Sequence, residues 1–179
     1  MNPINPKKLA QHILVAFLWI TLALAQPGLP LWQTHPLRDI HSGEVFTLSD
    51  FRGQTVFVEG MASWCGHCLQ QLRNIASLKD KLPPEIVLIA LSVDTNATAE
   101  ELISYADKEG FDWRFAIVPP DLLIELAEVF GQKFTRPLSH FIIYADGSFS
   151  ELDIGLKTTE ELQQLLFDAL NHPEDASLP

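Results

Sequence analysis

The chain is short of cysteine, of basic residues and of long apolar runs, and each shortage excludes something. Only two cysteines, Cys65 and Cys68, occur in 179 residues. That excludes both a small domain stapled by several disulfides and a four-cysteine zinc site. Twelve Lys and Arg stand against 23 Asp and Glu, a net charge of −11. Such a surface repels phosphate backbones, so nucleic acid is not an expected partner. No internal repeat, linker or low-complexity segment divides the chain. An apolar fraction of 47% fits one globular domain with a full core, since a domain typically takes about 150 residues.

A single apolar run stands apart at the start. Residues 1–25 hold no acid, Lys7 and Lys8 lead in, and the apolar stretch ends in small residues at Ala23 and Ala25. A positive lead, an apolar middle and an A-x-A ending describe a signal peptide cleaved before Gln26. The alternative is an uncleaved membrane anchor over residues 9–25, which is only just long enough to span and carries Gln11 and His12. Either reading places the rest of the chain outside the cytoplasm, periplasmic or exported, where disulfides persist.

Residues 26–36 hold three prolines and read as an extended lead-in. From 37 to 170 the pattern is that of one α/β domain. A hairpin over 37–48 turns at His41-Ser42-Gly43. Thr55 to Gly60 is a buried strand, and Leu69, Leu72, Ile75 and Leu78 then recur at helical spacing. Ile86 to Leu91 is the continuous apolar strand of a sheet covered on both faces. Thr98 with Glu101 makes a capping box for a helix, and Trp113 to Val118 is a strand. A further helix starts at Pro119-Pro120-Asp121 and stops at Gly131. Ser139–Tyr144 and Ser148–Ile154 form a hairpin around Ala145-Asp146-Gly147, followed by a capping box at Thr158 and Glu161 and a last helix. Residues 171–179 read as a frayed, flexible tail. Strands alternating with helices before a closing hairpin predict a mixed central β-sheet flanked by helices.

Trp64-Cys65-Gly66-His67-Cys68 falls where a buried strand meets a helix. At a helix start, free N–H groups and the positive end of the dipole stabilise a Cys65 thiolate. Cys68 is expected deeper and shielded. An imidazolium at His67 would favour the same thiolate, and Gly66 completes the two-residue spacer that tunes the couple.

Here the sequence resembles the thioredoxin superfamily. Val58 to Cys68 is similar to the active-site strand and turn of thioredoxins, and the Cys-Gly-His-Cys core is similar to that of protein disulfide isomerases. Thr47 to Gly53, Phe141 to Gly147 and the strand–helix insert over 94–118 look more like exported TlpA/ResA-type thiol–disulfide oxidoreductases. The resemblance implies a thioredoxin-like fold, Cys65 as attacking thiol and Cys68 as resolving thiol, with Trp64 offering a surface to partners. It also implies that Glu59 is a buried acid moving a proton for Cys68; a strand-edge residue facing water is the bland alternative. The implied partners are cysteine-containing client proteins and a membrane or soluble dithiol electron donor, with no diffusible cofactor and no metal. A reductase for respiratory or cytochrome c assembly is the implied role.

Two positions depart from that pattern. The superfamily's cis-proline aligns with Leu138, so either Arg136-Pro137 carries the cis bond or the substrate-facing loop over Arg136, Pro137 and Leu138 lacks one. Gln71 stands where related reductases often have Glu. An SCO-like copper chaperone is the competing reading from another class, but its ligand histidine would align near Arg136. His140, inside an apolar strand, reads as a hydrogen-bonded core residue. A peroxiredoxin-like peroxidase is a further alternative that lacks its Pro-x-x-x-Thr-x-x-Cys setting around Cys65.

Overall fold

Thr55 to Met61 alternates its side chains between two apolar surroundings, and every one of these residues is buried. In the computed structural model, which describes residues 30–172, this segment is the central strand of the domain. Short strands β1 (Leu37–Arg38) and β2 (Val45–Phe46) pair antiparallel ahead of it. Then follow β3 (Thr55–Met61), helix α1 (Gly66–Lys79), β4 (Ile86–Ser92), α2 (Ala99–Glu109) and β5 (Arg114–Ile117). Helix α3 (Pro120–Phe130), β6 (Ser139–Ile143), β7 (Asp153–Ile154) and α4 (Thr159–Leu170) complete the domain.

The five-stranded sheet has the order β5-β4-β3-β6-β7. Strands β3, β4 and β5 run parallel, whereas β6 and β7 are antiparallel to their neighbours. This is the expected mixed sheet covered on both faces. Phe57 and Met61 of β3 pack with Cys68 and Leu72 of α1 and Leu162 and Leu166 of α4. Val56 and Val58 turn the other way, towards Leu122 and Leu126 of α3, Trp32 and Phe141. Both expected capping boxes close, at Thr98 with Glu101 and at Thr158 with Glu161.

Three local details differ from the sequence reading. Within the expected extended lead-in, Leu31–Thr34 form a 3-10 turn that buries Trp32 and Gln33. Trp32 meets Phe130, Phe141 and Phe149 edge-on, with ring centroids 5.2–5.9 Å apart; aromatic packing overrides the local prolines. The closing hairpin is also irregular. Ile143 bridges Phe149, but His140 pairs with Asp153, so the return arm carries an extra residue and only Asp153–Ile154 forms regular strand. Finally, His172 of the expected tail stacks on Tyr144 at 3.6 Å. Residues 173–179 and the signal or anchor segment at 1–25 lie outside the described residues. Among the described residues, no helix is long and apolar enough to cross a membrane.

Candidate active site

β3 ends at Met61, the chain turns through Ala62-Ser63-Trp64, and α1 begins at Gly66 with Cys65 as its N-cap. Cys65 Sγ accepts the backbone N–H of Cys68 at 3.1 Å, so the sulfur does the work of a Ser or Asp cap. A capping thiolate takes that bond more strongly than a thiol and lies at the positive end of the helix dipole, a gain of about 0.3–1 kcal/mol. Cys65 and Cys68 are joined as a disulfide with Cα atoms 5.2 Å apart. Cys65 is half-buried and Cys68 fully buried. One sulfur is open to attack, the other shielded a turn deeper.

His67 and Gly66 are exposed on the outer side of the turn. Trp64 is 69% exposed, held by its Nε1–H donating to Asp94 Oδ2 at 2.7 Å. A large apolar ring fixed beside a reactive sulfur and left open to solvent is suited to meeting a partner surface.

Behind the disulfide, Gly60 lies close against β6. A Cβ there would stand 2.7 Å from Ser139 Oγ, so glycine is what lets the strands approach. Gly60 O accepts the N–H of Leu138 at 2.7 Å. No cis peptide bond occurs among the described residues, which corrects one of the two options for Arg136-Pro137. The chain instead enters β6 through Leu138 in the left-handed region, at φ 70°. Arg136 is exposed, and Pro137 and Leu138 are half-buried.

Glu59 is only 1% exposed, on the same face of β3 as Phe57 and Met61. Burial excludes the strand-edge reading. Desolvation pushes its pKa well above the usual carboxylate range, and the positive charge of Lys157 opposes that only in part. Glu59 Oε2 lies 3.6 Å from Nδ1 of His140, itself 1% exposed. Burial lowers His140 to about 4, against a smaller upward pull from Asp153. Burial thus favours the uncharged form of each group, the protonated carboxyl of Glu59 and the neutral imidazole of His140. His140 is a core residue as expected, but no hydrogen bond reaches either of its nitrogens or either Glu59 oxygen; the expected hydrogen-bonded core histidine is corrected to an unbonded one beside an acid.

Gln71 is fully buried and accepts the N–H of Lys157 through Oε1 at 2.8 Å. Asn74 Nδ2 donates to Lys157 O at 2.7 Å. The turn before α4 is thus tied to the cysteine helix, which brings Lys157 near Glu59. Sequence reading missed Lys157 and Asp153 because only strand register and this turn place them here. Among the described residues, no group of three His, Cys, Asp or Glu side chains is placed to hold a metal ion.

A family model described as Redoxin matches residues 36–165. The chain belongs to the Redoxin family. Within it, the Cys65–Cys68 couple marks this redoxin as a thioredoxin-like thiol–disulfide oxidoreductase.

Solved structures share the fold at low identity. A thiol:disulfide interchange protein of the thioredoxin family from Chlorobium tepidum is 18% identical, with a TM-score of 0.62 over 82% of this chain and 98% of its own. A secreted Mycobacterium tuberculosis disulfide oxidoreductase, homologous to DsbE of E. coli, is 14% identical at a TM-score of 0.62, covering 77% of this redoxin and 98% of itself. An exposed lipoprotein thioredoxin from Streptococcus pneumoniae is 21% identical at 0.57, over 75% and 98%.

Proposed function

We propose that this redoxin reduces disulfides of client proteins outside the cytoplasm, in the class of cysteine pairs found in apocytochrome c or copper sites. The observation that carries the reading is the asymmetry of the couple: a half-buried Cys65 capping α1 over a buried Cys68, with Glu59 on the face of β3 that packs against α1. The Cys65 thiolate attacks the client disulfide, forming a Cys65–client bond and releasing one client thiolate. Cys68 loses its proton to Glu59 and attacks Cys65; the second client thiolate leaves with the electron pair and takes a proton from water. The client gains two electrons and the Cys65–Cys68 dithiol loses two. Another dithiol protein, soluble or in the membrane, resets the pair.

Trp64 and the 136–138 loop supply the rim that clients meet. The export-type leader at 1–25 supports the location, as does the likeness to a secreted oxidoreductase of Mycobacterium tuberculosis and an exposed lipoprotein of Streptococcus pneumoniae. Insulin reduction in dithiothreitol tests the reading: wild type accelerates it and Cys65→Ala does not. Undiminished acceleration by Cys65→Ala would end it.

A further inference from the structure

Strand register lines up three titratable side chains across the sheet. Glu59 on β3 is the direct partner of His140 on β6, and His140 is the direct partner of Asp153 on β7. Direct partners share a face, so all three point towards the α1 and α4 side. His140 Nδ1 is 3.6 Å from Glu59 Oε2, and its Nε2 is 3.7 Å from Asp153 Oδ2. Asp153 is 54% exposed and holds Lys157 Nζ at 2.6 Å. One imidazole therefore bridges a buried carboxyl group to a surface one. Phe57 lies against it with ring centroids 5.5 Å apart, which fixes its plane.

A merely structural core histidine is expected to be hydrogen-bonded, and this one is not. Both gaps lie just beyond hydrogen-bond length, so a small closure of either makes a bond. Glu59, Asp153 and Lys157 are the charged groups around His140. The buried positions of α1 are Cys68, Gln71, Leu72, Ile75 and Leu78, and those of α4 are Leu162, Leu166 and Ala169, so neither helix buries a charge against the row.

We propose that His140 is the positioning residue for the proton of Glu59, holding it at Nδ1 while Glu59 serves Cys68 and passing one from Nε2 to Asp153 and solvent. The inference rests on the oxidoreductase reading above. A buried acid that keeps its proton cannot accept another. With the shared proton moved to Nδ1, Glu59 becomes a carboxylate facing an imidazolium that Asp153 also neutralises, and no net charge has entered the core. Glu59 then takes the Cys68 proton as the Cys68–Cys65 bond forms. His140 releases its Nε2 proton outward, and the pair returns to its starting count.

Stopped-flow reaction of the reduced protein with the aromatic disulfide DTNB reads this directly. The first thionitrobenzoate leaves as Cys65 attacks, the second as Cys68 resolves the adduct. His140→Asn is expected to slow the second release, relative to the first, about tenfold at pH 6.5 and to converge on wild type near pH 9, where solvent base suffices. Glu59→Gln gives the same profile, and the double variant is no slower than either single one. Asp153→Asn, at an exposed site, shifts the profile the same way by a smaller factor and decides the matter if His140→Asn does not fold. A His140 or Asp153 variant that follows the wild-type profile, or is slowed equally at every pH, overturns the relay while the oxidoreductase reading stands. Wild type that gives no second release, behaving like Cys68→Ser, overturns that reading instead.

Discussion

Glu59 of β3 and His140 of β6 are direct cross-strand partners whose side chains meet at 3.6 Å in the core. Two titratable groups without hydrogen bonds in an apolar interior cost stability, on the order of 1–3 kcal/mol for each unpaired group. That cost leaves a signature in how stability depends on pH.

His140 sits at about 4 in the folded chain against 6.5 for the free group. Between those values the unfolded chain binds a proton that the fold does not, so stability is lost as pH falls from 6.5 towards 4, by on the order of 3 kcal/mol in all. Glu59 works in the opposite sense. Its raised pKa means the fold keeps a proton that the unfolded chain releases above 4.5, so its contribution is lost as pH climbs. Where the two windows overlap above pH 4.5 they oppose each other, so wild-type urea midpoints should change little with pH there. Glu59→Gln is expected to expose the loss on acidification that belongs to His140, and His140→Asn the loss with rising pH that begins near 4.5 and belongs to Glu59.

Gly60→Ala is expected to destabilise by about 1–3 kcal/mol, because its Cβ would stand 2.7 Å from Ser139 Oγ and 3.2 Å from Ser139 O. Adding Ser139→Ala removes the closer contact and should recover part of the loss in urea unfolding. No recovery would place the strain elsewhere.

Leu138 occupies the position that the thioredoxin resemblance gives to proline, at φ 70° and with its N–H donating to Gly60 O. Proline holds φ near −65° and has no N–H. Leu138→Pro should therefore cost more than about 3 kcal/mol, whereas Leu138→Gly, freed of left-handed strain, should stay within about 1 kcal/mol of wild type. Thermal unfolding of the two variants separates them.

Much of this was legible in the sequence. Helices α2 and α4 carry their capping boxes in plain view, β4 is a continuous apolar run, and the spacing of Cys65 and Cys68 at a strand-to-helix junction announces a redox couple. Glu59 could be singled out because an acid inside Val-Phe-Val-Glu is costly to bury. His140 could not be joined to it, since which residue of β6 faces Glu59 depends on register, and a one-residue slip sends the imidazole to the other face. Lys157 and Gln71 meet only through the fold, across a backbone-to-side-chain bond between the turn before α4 and the cysteine helix. The lead-in over residues 26–36 misled in the other direction. Its prolines suggest extended chain, while Leu31–Thr34 form a 3-10 turn and Trp32 packs among three phenylalanines from distant segments.

The reduction potential of the Cys65–Cys68 couple, equilibrated in glutathione or dithiothreitol buffers, decides between a reductase and an oxidant. Thioredoxin-like and isomerase-like couples lie about 90 mV apart, about 4 kcal/mol for two electrons, enough to reverse the direction of exchange. A client reductase predicts a value near or below about −250 mV. A value above about −200 mV, or a pair that does not cycle, would contradict it.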